Sequence, residues 1–153
     1  MFEAISLSVS GSGKLDAKEC DIFEVSVAGS ADVNINRIND CVNCSINGSG
    51  DLNIGTANNV KAAVSGSGDI SIGAATGAMD VTINGSGDIA VGGVVDTLVL
   101  TVNGSGNFSG KALTVNEAEL TVGGSADIRI GHIKGRSVER LSENTILAVS
   151  CRG

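Results

Sequence analysis

Apolar and polar residues alternate along the first 130 positions in short runs, and the runs recur with a common motif, V/I-x-G-S-G/A-D-I/V/L. Seven copies are present, the first with Lys14 in place of the Asp and the sixth with Asn107-Phe108 at its end, and the first core glycine of each falls at Gly11, Gly29, Gly48, Gly66, Gly85, Gly104 and Gly124, a spacing of 18–20 residues. Aligning the copies on that glycine sorts the apolar residues into columns. Six residues before it stand Ile5, Phe23, Val42, Val60, Met79, Leu98 and Ala118, with similar columns four and two before, the last running from Val9 to Val122. Four residues after it the column runs Leu15, Val33, Leu52, Ile70, Ile89, Phe108 and Ile128, and a further one follows six after. A sixth column, nine after, holds Cys20, Ile38, Ala57, Ala75, Val94, Leu113 and Ile133. The period of two within each run is that of a strand with one buried face.

Each unit therefore reads as a strand, a Gly-Ser-Gly corner, a second strand, a second corner and a short third side. One such unit cannot bury its own apolar edge, but stacking it on its neighbours can. The pattern predicts an all-β fold: a single-domain parallel β-helix or β-solenoid, right-handed and three-sided, of about seven rungs of 18–20 residues. At about 4.8 Å per rung the rod is roughly 30–35 Å long. Residues 1–130 form the repeats, and 131–153 read as a C-terminal cap, because Arg136 to Asn144 break the pattern before Thr145–Val149 return as a strand. No equivalent cap precedes Ile5, Leu7 and Val9. The first rung is expected to be covered by a missing N-terminal segment or by end-to-end self-association.

Composition agrees with this reading and narrows the function. The 153 residues include 22 Gly, no Pro, Trp or Tyr, and three Phe, while 42% are hydrophobic. A disordered chain would lack that apolar fraction, and no run of apolar residues is long enough for a membrane helix. The net charge of −7 is uneven: residues 1–127 carry 15 acidic and 5 basic side chains, and residues 128–153 carry 2 and 5. An acidic body without aromatic stacking platforms argues against nucleic acid. The same lack of aromatic platforms argues against a sugar-cleaving enzyme. No signal peptide precedes the first repeat.

The motif residues have a structural reading first. Gly48, Ser49, Gly66, Ser67, Gly85, Ser86, Gly104 and Ser105 are read as corner residues: the glycines for positive φ and close stacking, the serine hydroxyls for bonds between rungs. No catalytic residues are assigned, since a serine nucleophile would need a base, and the one histidine, His132, lies beyond the repeats. Asp32, Asp51, Asp69 and Asp88 form a ladder that could face calcium, but one ligand per rung leaves most of a six- to eight-oxygen shell to water. Neither a metal nor a cofactor is expected. Cys41 and Cys44 look like half of a zinc ribbon whose other half is absent. Cys20 and Cys44 occupy apolar columns and are expected to act as small core residues, and in an oxidised chain Cys20 could bridge to Cys41 between the first two rungs. Asn47, Asn84 and Asn103 begin Asn-Gly-Ser sequons, but Asn also tolerates turn conformations, which is the simpler reason for it here.

With its rungs aligned, the chain resembles the bacterial auto-transporter adhesin, head GIN domain family over about residues 5–130, through the serial V-x-G-S-G-D-I-x-I pattern. That resemblance implies a β-solenoid outside the cytoplasm, in the periplasm or at the cell surface, with a suspected role in adhesion. It carries over no catalytic residues. The function expected is a non-catalytic, adhesin-like surface binding module that presents a polar face to a glycan or protein. The alternative is a self-assembling, bactofilin-like scaffold.

Overall fold

The computed structural model describes residues 4–135, 137–140 and 146–152. Those residues are almost entirely strand, and none is helical. The strands are β1 (Ala4–Gly48), β2 (Asp51–Ala57), β3 (Asn59–Gly66), β4 (Asp69–Ala75), β5 (Ala78–Gly85), β6 (Asp88–Gly104), β7 (Asn107–Val122), β8 (Asp127–Ile133), β9 (Ser137–Arg140) and β10 (Ile146–Arg152).

Every pairing is parallel and advances by one repeat. On one face β2 lies on β1, β4 on β2, β6 on β4, β7 on β6, β8 on β7 and β10 on β8. A second face is built by β3 on β1, β5 on β3, then β6, β7 and β9. β1 spans several sides of the stack and pairs along its own length. Asn34 reaches back 18 residues to Asp16, and Asn39 back to Asp21. The molecule is a β-solenoid of stacked parallel strands.

The core follows from register. Because equivalent residues lie directly over one another, each aligned apolar column becomes a continuous inner stripe. Phe23, Val42, Val60, Met79, Leu98 and Ala118 are all buried, as are Val33, Leu52, Ile70, Ile89, Phe108 and Ile128. Among the described residues no polar or charged side chain is buried, so the interior is held by apolar contact and the backbone ladder alone.

Two details differ from the aligned columns. Val94 is 52% exposed, and the neighbouring Val95 is fully buried instead. The cause is a register shift between Ile72 and Ala75 on β4, where the Gly92-Gly93 pair lets β6 bulge so that Gly93, at φ +104°, stands opposite Ala75. The second difference is an additional inner column at the corner. Gly50, Gly68, Gly87 and Gly106 are buried there together with Ala31 and Ala126. A Cβ on Gly68 would lie 2.8 Å from both the Gly50 carbonyl oxygen and Ile46 Cγ2, which explains why only Gly and Ala occur in that column.

The two ends are unlike. In the first rung Ile5, Leu7, Val9, Leu15 and Ala17 pack against the core but remain half-buried. At the other end β9 and β10 continue the stacking of β7 and β8, with Leu147 in register with Ile128 and Val149 with Ile130. The remaining positions of the 131–153 stretch, 136, 141–145 and 153, lie outside the described residues.

Candidate binding face

The strands β2, β4, β6, β7 and β8 begin with the residue that follows each Gly-Ser-Gly/Ala corner, and register places those residues in one line. Asp32 pairs with Asp51, Asp51 with Asp69, Asp69 with Asp88, Asp88 with Asn107 and Asn107 with Asp127. All six are exposed. Adjacent carboxylates stand about 4.8 Å apart along the rod, a repulsion of roughly 1 kcal/mol per neighbour in water. The next outward position carries Asn34, Asn53, Ser71, Ala90, Ser109 and Arg129. Side chains shrink in the middle of that second line. A shallow groove of about 490 Å³ opens there, lined by Asp51, Asn53, Asp69, Ser71, Asp88 and Asn107 among others.

The corner is held by main chain. Ser49 N donates to Gly29 O at 2.9 Å, Ser67 N to Gly48 O at 2.9 Å, Ser86 N to Gly66 O at 2.8 Å and Ser105 N to Gly85 O at 2.9 Å. The serine side chains point to solvent. The contact between rungs therefore runs through their amides and not, as a column of hydroxyls suggests, through Oγ. Likewise Asp69 N donates to Gly50 O at 3.1 Å, so this corner amide is satisfied by the preceding rung. Gly48, Gly66, Gly85 and Gly104 all have positive φ, from +124° to +140°.

Asparagine does something that composition did not reveal. Among the described residues none other than glycine has a positive φ, so Asn47, Asn84 and Asn103 occupy strand conformations, and turn tolerance does not explain them. Two of them ladder instead, Asn103 Nδ2 donating to Asn84 Oδ1 at 3.2 Å, while Asn47 stands in register with Ser65. On the aspartate face Asn53 Nδ2 donates to Asn34 Oδ1 at 2.9 Å, and Asn34 Nδ2 to Asp16 Oδ1 at 3.0 Å. Asn39 Nδ2 bridges Glu19 and Asp21 at 3.1 and 3.0 Å. The signal was available in the spacing, since every one of these pairs is separated by 18–20 residues.

Cys41 and Cys44 are not placed to share a metal ion. Cys44 is 1% exposed, whereas Cys41, an odd number of residues away on an alternating strand, faces outward and is half-buried. The two thiols are on opposite sides of the wall and cannot share an ion. No disulfide joins Cys20, Cys41 and Cys44; a Cys20–Cys41 bridge is ruled out because Cys20 points into the core while Cys41 points out. Burial pushes the Cys44 thiol from 9.0 up to about 12. Cys151 lies in β10 opposite His132. Among the described residues no three His, Cys, Asp or Glu side chains come together to hold a metal ion, and the aspartate ladder offers a line rather than a cage.

A family model described as auto-transporter adhesin, head GIN domain matches residues 45–135, more than half of the chain. The chain belongs to that family. The match begins just ahead of Asp51 and ends after β8, so the groove of this GIN domain lies within it. No curated protein and no solved structure matches the chain.

Proposed function

We propose that this GIN domain is a non-catalytic, extracytoplasmic binding module that uses the aspartate-lined face to hold a glycan or a protein. The family name, that of an adhesin head, supports a surface role. The observation that carries the choice of face is the groove over Asp51, Asn53, Asp69, Ser71, Asp88 and Asn107, where small polar side chains leave a hollow floored by strand. Carboxylates and side-chain amides there accept and donate hydrogen bonds to hydroxyls or peptide groups, with the exposed methyl of Ala90 beside them. Rigid backbone pins each group, so a ligand meets an ordered array and loses little to protein ordering. The fold and the family also support a non-enzymatic role. A filament-forming scaffold gains no support from either.

The test is a binding panel. Chain coupled to beads is presented to a glycan array and to immobilised extracellular proteins. The triple variant Asp51→Asn, Asp69→Asn, Asp88→Asn is expected to lower retention about tenfold or more, the loss of two or three charge-assisted hydrogen bonds. Lys61→Ala with Asp80→Ala, on the β3–β5 face, is expected to leave it unchanged. Equal binding by the triple variant would place the ligand elsewhere.

A further inference from the structure

The first rung has the makings of an interface between two copies of this chain. Ile5, Leu7, Val9, Leu15 and Ala17 are half-buried, while their equivalents one rung on, Phe23, Val25, Val27, Val33 and Ile35, are 0–2% exposed. One more layer of strand would complete that burial. The partners of β1 are β2 and β3, both of which follow it, and no described strand lies on its outer side. Its backbone donors and acceptors there are an open edge.

The charges on that edge select the occupant. Where later rungs carry Asp32, Asp51, Asp69 and Asp88, the first carries Lys14, followed on the same outward face by Asp16 and Lys18. The sign alternates along a single strand, and all three side chains are exposed. Two copies of this segment laid antiparallel across a two-fold axis through Leu15 set Lys14 of each opposite Asp16 of the other, with Leu15 against Leu15 inside. Opposite charges directly across an antiparallel pair are favourable, and like charges are not. Sliding the axis to Asp16 would instead oppose Lys14 to Lys18 and Asp16 to itself. Asp16 also accepts from Asn34 of its own chain, which fixes the carboxylate in place.

Head-to-tail stacking fits less well. In that arrangement the rung register would set Lys14 in line with Ile146 and Asp16 in line with Ala148, the β10 positions that follow Asp127 and Arg129. Neither charge would meet an opposite one. We infer that the chain forms a closed, two-fold dimer through its first rung, head to head, with Lys14–Asp16 pairs across the axis. Such an isologous contact is self-limiting, unlike a head-to-tail one. The end of the rod is narrow, so association in the micromolar range is expected.

Sedimentation velocity on the 153-residue chain at about 1 to 200 µM is the test, a range that brackets micromolar affinity. A monomer–dimer equilibrium is expected. Lys14→Asp places two aspartates across the axis and Asp16→Lys places two lysines there. Each variant alone is expected to bind itself about tenfold more weakly or worse. An equimolar mixture of the two restores the opposite-charge pairs, and so is expected to restore the dimer, which a folding defect could not do. Open-ended growth, single variants that still dimerise, a mixture that stays monomeric, or a monomeric wild-type chain would each overturn the proposal. A wild-type monomer would assign the edge to a segment ahead of Ala4 instead.

Discussion

At the corner, one residue type answers two separate demands. Gly66 has φ +124°, and a Cβ there would stand 2.5 Å from the Gly48 carbonyl oxygen; Gly11 has φ +105° and nothing within 4 Å. Conformational strain applies to both, the steric cost of close stacking to Gly66 only. Gly11→Ala is expected to destabilise by about 1 kcal/mol and Gly66→Ala by about 3 kcal/mol or more, read from urea unfolding midpoints. Equal losses would show that stacking distance does not govern the corner. Cys44 offers a second single-residue test. Its thiol is protonated in both states below pH 9.0, but between 9.0 and about 12 the unfolded chain loses a proton that the folded chain keeps. Stability is therefore intact below pH 9.0 and falls as pH rises toward 12, by about 1.4 kcal/mol per unit from this group. Cys44→Val, matching Val25 and Val81 in the same column, should flatten the alkaline slope by that amount. In native protein at pH 8 a thiol reagent should label Cys41 readily and Cys44 only on unfolding.

At the scale of strands, the spacing told which residues share a column but not how each column is used. The alternation placed Ile70, Ile72 and Val81 inside correctly, because a strand with one buried face leaves no other choice of side. It misplaced Val94, because a bulge at Gly92-Gly93 changes parity midway through β6, and two glycines in series mark such a site without fixing its direction. Close stacking of the corner glycines was legible as well as their turn chemistry, but not that the second of them, Gly50, Gly68, Gly87 and Gly106, points inward and forms a buried column with Ala31 and Ala126. The aspartate line of the candidate site was legible, since register alone assembles it. Its groove was not, because a hollow depends on Asn53, Ser71 and Ala90 becoming smaller rung by rung. The ladder itself carries a cost that can be measured. Asp69 lies between Asp51 and Asp88, so Asp69→Asn relieves two like-charge contacts and is expected to raise stability by about 0.5–1 kcal/mol at low salt. The gain should vanish near 1 M salt, where the screening length falls to about 3 Å. A gain that persists at high salt would mean that the asparagine stabilises by laddering its amide, as Asn53 does with Asn34.

Over the whole rod, each rung touches only the rungs above and below it, so opening should spread inward from the ends. The regular spacing made that architecture legible. The unequal ends were harder to read: the half-burial of Leu15 and the pairing of β10 with β8 depend on what lies one rung beyond, which local pattern cannot supply. Amide hydrogen exchange resolves both matters. In dilute chain the amides of residues 4–18, whose outer neighbours are absent among the described strands, are expected to exchange about 100-fold faster than those of β3 and β5 in the middle of the stack. Raising the concentration should slow residues 4–18 selectively if two copies meet there, while β8 and β10 at the other end keep their rates. The Asp16→Lys variant should remove that concentration dependence and leave the gradient along the rod intact. The gradient and its concentration dependence therefore test different things: uniform exchange throughout the stack would count against rung-by-rung opening, and a gradient indifferent to concentration would count against the dimer alone.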